Sequence, residues 1–274
     1  MKLSEAIKLL SESGIEDPRS EARLLFTEIG GIPGYKTVGA DPDVTDEALA
    51  EAVRRRANRE PMGYILGSVG FYNESYYVTS DTLIPRADTE VLVEYAVCNL
   101  DLGDVFIDLC TGSGCVAISV LKNTVGTHAT AVDISESALR VAEKNAHRNG
   151  VSDRLSLICS DVMAEPDPRL PRGVKAILSN PPYVTDEEYC ELDKEIYFEP
   201  KSAFVGGEDG GDFYRAITAK YKNLLSHGGF IAYEIGYRQT ELIENIARSE
   251  EMTSEILFDL SGNPRVAILR KITH

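Results

Sequence analysis

Positive charge is scarce in this sequence: 28 lysines and arginines stand against 44 aspartates and glutamates, a formal charge of −16. Such a chain repels a phosphate backbone, because non-specific nucleic-acid binding rests on basic side chains displacing counterions. Bare DNA or RNA is therefore a disfavoured partner. The basic cluster Arg54, Arg55, Arg56 and Arg59 reads as the solvated face of a helix. Paired cysteines are missing too. Cys98, Cys110, Cys115, Cys159 and Cys190 are odd in number, lie in apolar or turn contexts and include no C-x-x-C pair, so reduced, buried thiols are expected, with neither a disulfide framework nor a zinc site. The N-terminus has no apolar stretch, since Lys2, Glu5, Lys8 and Glu12 interrupt it, and no run approaches the roughly 18 apolar residues of a membrane helix. Repeats and low-complexity tracts are absent as well. The expectation is a cytoplasmic protein with no metal and no membrane partner.

At 274 residues, 43% hydrophobic and 26% charged, the chain is an ordinary globular composition, long enough for one large domain and a smaller companion. Leu3, Ala6, Ile7 and Leu10 fall at helical spacing, and Ala22, Leu25, Phe26 and Ile29 repeat it after the start signal Asp17-Pro18. A third helix runs from about Asp46 to Arg59. Residues 1–66 thus read as a small all-helical bundle. Residues 67–86 turn β-branched and aromatic (Val69, Phe71, Tyr72, then Tyr76, Tyr77, Val78) around Asn73-Glu74, which predicts a hairpin linker. From 87 to 274, strands at Val105–Leu109, Thr130–Asp133, Leu155–Cys159, Val174–Leu178, Gly229–Ile235, Glu255–Phe258 and Val266–Arg270 alternate with helical stretches such as Glu136–Asn149. This pattern predicts an α/β domain built on a mostly parallel, doubly wound sheet.

The first of these strands runs through Asp108 into Cys110-Thr111-Gly112-Ser113-Gly114, a glycine turn that opens a helix. Glycines let the backbone pass close to a ligand, and Asp133, at the end of the next strand, is placed to accept from both hydroxyls of a ribose. A nucleoside-containing ligand follows. Gly112 to Ala117 also fits the relaxed dinucleotide fingerprint, so a nicotinamide-dependent oxidoreductase is a rival. Asp108 weighs against it, because its carboxylate would repel a pyrophosphate yet suits the ammonium of a methionine moiety. Asp161 and Val162 end the third strand, where an acid can accept from an adenine amino group and an apolar neighbour can pack on the ring. A helix N-cap is the alternative reading of Asp161.

The reaction chemistry lies in Asn180-Pro181-Pro182-Tyr183, which follows a buried strand. Two prolines remove two amide donors and stiffen the turn, leaving carbonyl acceptors. An NH₂ group can then donate to the Asn180 side-chain oxygen and the Pro181 carbonyl, with Tyr183 stacked on its plane. An amide nitrogen is a poor nucleophile, so fixing both N–H bonds to aim its lone pair at a sulfonium methyl is chemistry by positioning.

These motifs, with Arg59-Glu60-Pro61, Tyr64–Gly67, Leu83–Glu90, Tyr197–Pro200, Gly206–Gly210, Glu234–Gly236 and Gln239, resemble the PrmC/HemK family, protein-(glutamine-N5) methyltransferases that modify the glutamine of the Gly-Gly-Gln motif in class I peptide-chain release factors. The resemblance spans nearly the whole chain. It implies a five-helix N-terminal domain that helps recognise the release factor, a hairpin linker, and a class I S-adenosylmethionine-dependent methyltransferase domain with a seven-stranded sheet. It also implies that Cys110 to Gly114, Asp133, Val162 and Asn180 line the S-adenosylmethionine site while Asn180 to Tyr183 hold the glutamine. Two residues depart from the family pattern: Cys110 stands where glycine is more frequent, and Val162 where an aromatic often packs on adenine.

The leading expectation is methyl transfer to a release-factor glutamine amide. Methylation of a nucleic-acid amino group is the alternative, motivated by the same tetrapeptide and the arginine cluster; a non-enzymatic binder is more remote. Glu199 could face the substrate pocket but is expected as an exposed acid, and Arg86 could bind substrate but is expected to tie the hairpin linker to the larger domain.

Overall fold

The computed structural model describes residues 1–272. Two compact units emerge: Met1–Ser68 with Asp193–Phe198, and Val69–Leu192 with the chain from Glu199 onward.

The first unit contains α1 (Leu3–Glu12), α2 (Pro18–Glu28), α3 (Glu47–Ala57) and α4 (Met62–Leu66), with a 3-10 turn at Gly34–Thr37. Leu3, Ala6, Leu10, Ala22, Leu25, Phe26, Leu49, Ala52 and Val53 form its core. Asp17 caps α2 by accepting from the Ser20 amide at 3.0 Å, with Pro18 in the first turn, which is the arrangement its sequence predicts. The arginine cluster differs from expectation. Arg54 pairs with Glu47 at 2.6 Å and Glu51 at 3.0 Å, and Arg55 with Glu60 at 2.5 Å. Arg56 is only 7% exposed and pairs with Glu21 and, at 3.1 Å, with Glu195, which also takes Arg59 at 2.8 Å. The cluster is therefore neutralised inside its own unit, and Arg56 sits within the bundle, where cutting one of its partners would cost about 3–5 kcal/mol.

The second unit opens with a hairpin, β1 (Ser68–Phe71) and β2 (Glu74–Tyr77). Its turn lies one residue earlier than the sequence suggests, at Tyr72 (φ 47°) and Asn73 (φ 67°). Asn73 tolerates the left-handed region, and Glu90 holds Tyr72 in it by accepting the Tyr72 amide at 2.8 Å. Then follow α5 (Glu90–Asn99), β3 (Val105–Leu109), α6 (Cys115–Asn123), β4 (His128–Asp133), α7 (Glu136–Asn149), β5 (Leu155–Cys159), β6 (Val174–Ser179), α8 (Asp186–Tyr189), α9 (Asp212–Tyr221), β7 (Leu225–Glu234), α10 (Thr240–Ser249), β8 (Met252–Phe258) and β9 (Pro264–Lys271). The seven large strands form one sheet in the order β5-β4-β3-β6-β7-β9-β8. Strands β3 to β7 pair in parallel, and β9 runs antiparallel to β7 and β8.

Alternation along each strand feeds two cores. Phe106, Ala176, Leu178, Phe230, Ala232 and Ile268 face the layer of α5 and α6, while Ile107, Leu109, Ile177, Ile231, Tyr233 and Leu269 face α9 and α10. Burial on both faces explains why these strands read as near-continuous apolar runs. The cysteines correct another expectation. Cys98, Cys159 and Cys190 are exposed and Cys110 and Cys115 half-buried, all of them free. Cys159 ends an edge strand, Cys98 lies near the end of α5 away from its buried Leu92, Val93 and Ala96, and Cys190 caps the short α8. No helix among the described residues is long and apolar enough to cross a membrane.

Candidate active site

The strand order reverses between β3 and β6, and in an open α/β sheet the crevice at the carboxyl ends of the strands beside such a switch is where ligands bind. Cys110, Asp133, Asp161, Asn180 and Glu234 stand at the ends of β3, β4, β5, β6 and β7. A cavity of about 220 Å³ opens there, walled by Asp81 to Leu83, Cys110, Gly112, Asp133 to Ser135, Asp161, Val162, Asn180, Pro182 and Phe213, among others. Of the residues singled out from sequence, Cys110, Gly112, Asp133, Asp161, Val162, Asn180 and Pro182 line it; Asp108, Thr111, Ser113, Gly114, Pro181 and Tyr183 do not.

Of these, Asp108, Thr111, Ser113 and Gly114 hold the wall in shape from behind. Asp108 is buried, its Oδ2 accepting from the Thr111 hydroxyl at 2.6 Å and the Ala117 amide at 3.2 Å. Burial pushes its carboxyl up to about 7, with Thr111 and Ala117 opposing the rise. The Thr111 amide donates to the Val132 carbonyl at 3.0 Å, tying the loop to β4. Gly114 opens α6 at φ 80°, and a Cβ there would stand 2.9 Å from Ile118 and 3.1 Å from Ala142. Buried Asn145 of α7 donates to the Ser113 carbonyl at 2.9 Å and exchanges hydrogen bonds with the backbone of Tyr77, so hairpin, helix and glycine turn are fixed together. Cys110 lies at φ 59°, in the left-handed region that favours glycine. Burial raises its thiol, as it raises Cys115 to about 12, so neither is poised as a nucleophile.

Asp133 accepts the Gly112 amide at 2.8 Å through one oxygen and the Ser135 amide at 3.0 Å through the other. Each oxygen keeps a lone pair for a further donor. Burial raises its carboxyl while the amides of Ser135 and Gly112 oppose. Asp161, exposed at the rim, accepts the Met163 amide at 2.8 Å, and Val162 is buried beside it. Between these acids Ile134 lines the cavity although 63% exposed. Sequence reasoning passed over it. An apolar plate flanked by two acids fits a nucleoside whose base packs on the plate and whose ribose donates to Asp133.

The turn after β6 is held from behind. Ser179 donates to the Leu109 carbonyl at 2.8 Å, and Gln239 donates through Nε2 to the Tyr183 carbonyl at 2.9 Å. The Val184 amide donates to the Phe204 carbonyl and the Gly206 amide to the Val184 carbonyl. Gly206 comes so near that a Cβ would meet the Pro182 carbonyl oxygen at 2.4 Å. Asn180 donates through Nδ2 to Thr89 Oγ1 at 3.2 Å, Thr89 donates to Glu234 Oε2 at 2.5 Å, and the Tyr183 hydroxyl donates to Glu234 Oε1 at 3.3 Å. Burial, then the Glu234 charge, raises the Tyr183 phenol, which stays protonated. Glu199 corrects the expectation of an exposed acid: it is 5% exposed, accepts the Ile84 amide at 2.8 Å and pairs with Arg86. Arg86 thus ties the segment after the hairpin to the chain at Glu199, within the larger unit.

The PrmC N-terminal domain model matches residues 2–67, and the Methyltransferase small domain model residues 87–203. A release factor glutamine methyltransferase of Rhodospirillum rubrum is 36% identical over 269 residues, covering 96% of this chain and 82% of that one. Another, from Thermodesulfovibrio yellowstonii, is 35% identical over 260 residues, with 92% of each chain covered. The chain belongs to the release factor glutamine methyltransferases. It is accordingly an enzyme of the S-adenosylmethionine-dependent class, and the dinucleotide reading of the glycine turn falls away. Among solved structures, the ribosomal protein L11 methylase of Lactobacillus delbrueckii subsp. bulgaricus shares the fold at TM-score 0.51 and 17% identity, over 69% of this chain and 81% of that one.

Proposed function

We propose that the chain transfers the methyl group of S-adenosyl-L-methionine to the side-chain amide nitrogen of the Gly-Gly-Gln glutamine in class I peptide-chain release factors. The observation that carries this reading is Asn180: it lines the cavity, and its Nδ2 is committed to Thr89, so its oxygen is the end offered to an incoming NH₂ group. The cofactor would lie along Gly112, Asp133, Ile134, Asp161 and Val162, and when bound it supplies an electrophilic sulfonium methyl.

The protein's share of the chemistry is orientation. Asn180 and the Pro181 carbonyl accept the two N–H bonds of the glutamine amide, which fixes the amide plane so that the nitrogen lone pair, perpendicular to it, points at the methyl. As the C–N bond forms, the nitrogen gains positive charge beside these two oxygens, and its proton becomes acidic enough to pass to water without a strong base. Tyr183 packs on the amide plane. The helical unit is assigned to recognition of the release factor. Its arginines support that choice over nucleic acid, because Arg54, Arg55, Arg56 and Arg59 are each paired with carboxylates of the same unit.

The test is transfer of labelled methyl from the cofactor to a release factor carrying the Gly-Gly-Gln glutamine, against the same protein with that glutamine replaced. Label on the first alone is expected. Equal label on both, or label on ribosomal RNA instead, overturns the reading.

A further inference from the structure

We infer that Glu234, acting through Thr89, is a positioning residue that decides which end of the Asn180 amide faces the substrate. This rests on the reading of Asn180 given above.

An ionised carboxylate is acceptor-only, whereas a hydroxyl has one proton and two lone pairs. Thr89 is 2% exposed and Glu234 likewise 2% exposed, so water is kept from both. Glu234 Oε2 takes the single Thr89 proton. With that proton committed, Thr89 Oγ1 can only accept, and the group it meets on Asn180, 3.2 Å away, must be the NH₂ end. The carbonyl end is then turned to the cavity, the orientation an amide substrate needs. The other carboxylate oxygen holds the Tyr183 hydroxyl. One buried acid on β7 therefore fixes both side chains of the reaction turn, which the chain places 54 residues earlier for Asn180 and 51 for Tyr183, by subtraction of their numbers. A carboxamide carbonyl and NH₂ are nearly the same size, so packing alone would not choose between them; the direction of the hydrogen bonds does.

Protonation would release the constraint. A neutral Glu234 can donate to Thr89, freeing the Thr89 proton to meet the Asn180 carbonyl and present the NH₂ end to the substrate, the wrong polarity. Burial pushes Glu234 up to about 7, against the Thr89 hydroxyl, Arg265 and the Tyr183 hydroxyl and with Asp88 adding to the rise. The groups facing it are Thr89 and Asp88 before α5, Arg265 on β9, which pairs with Asp88 at 3.0 Å, Tyr183 after β6, Tyr214 on α9 and Cys115 on α6.

The experiment measures kcat and KM with a release factor, and the Kd of S-adenosylhomocysteine, for the wild type, Thr89→Val, Thr89→Ser, Glu234→Gln and Asn180→Ala. Thr89→Val should lower kcat about 10–100-fold with the Kd within about two-fold, since only orientation is lost. Thr89→Ser, which keeps the hydroxyl, should recover most of the rate. Wild-type kcat should fall below about pH 7 and Thr89→Val should lose that acidic limb. If Asn180→Ala is inactive while Thr89→Val and Glu234→Gln turn over like wild type, or if Thr89→Val keeps the limb, the relay is wrong and the assignment of Asn180 stands. An active Asn180→Ala sinks the assignment itself, and the relay with it.

Discussion

Asp133 closes the cofactor end of the crevice on Gly112, its Oδ2 accepting the glycine amide at 2.8 Å across two adjacent strand ends. The same carboxylate holds the Ser135 amide that begins the turn into α7, so one side chain shapes both lips of the cavity and still has a lone pair on each oxygen for a ribose. Asp133→Asn replaces one acceptor by a donor and must forfeit one of those bonds. Hydrogen bonds to a charged group contribute about 1.5–3 kcal/mol, so the variant should bind S-adenosylhomocysteine about 10–100-fold more weakly by calorimetry. A Kd equal to that of the wild type would remove Asp133 from the cofactor site.

The reaction turn is shaped by a neighbour with no side chain. A Cβ at Gly206 would lie 2.4 Å from the Pro182 carbonyl oxygen and 2.8 Å from Tyr183 Cα, both backbone atoms that cannot swing aside. Gly206→Ala should displace the turn, costing about 1–3 kcal/mol of stability and about 100-fold in kcat. Gly70→Ala, where nothing lies within 4 Å of the new Cβ, is the control and should match the wild type in both. An unimpaired Gly206→Ala would mean that the turn has room the geometry does not show.

How much of this was legible beforehand depends on the range of the interactions. The strand ends carrying Asp133 and Asn180 follow from local periodicity, because two-sided burial makes each parallel strand an apolar run that stops at a polar residue. The hairpin turn came out one residue late because Tyr72 at φ 47° is no turn signal by itself; Glu90, far along the chain, holds it there. Glu199 and Arg56 read as surface charges for the same reason. Their partners, Ile84 with Arg86 and Glu21 with Glu195, are distant in sequence and known only once the fold brings them together. The Thr89–Glu234 relay joins α5's start to the end of β7, and no spacing rule connects them.

Asp108 gives the clearest pH signature. In the unfolded chain its carboxyl titrates near its ordinary value of about 3.9, while burial in the folded protein pushes it up to about 7. Between those values the folded state holds a proton that the unfolded state has lost, so stability falls as pH rises through about 4 to 7 and the loss persists above it. Glu234, also raised to about 7 by burial, acts in the same direction. Asp108→Asn removes the first of these contributions. Because the Thr111 hydroxyl and the Ala117 amide both reach the same oxygen, Oδ2, a carboxamide oxygen in that place keeps both bonds. Its new NH₂ needs a partner, but that cost is the same at every pH and cancels in a comparison between two. Urea unfolding should therefore show Asp108→Asn faring better relative to the wild type at pH 8 than at pH 5, by about 2–3 kcal/mol. An identical difference at both values would mean that Asp108 stays ionised in the folded protein across the range, and that the buried carboxylate is compensated by more than Thr111 and Ala117.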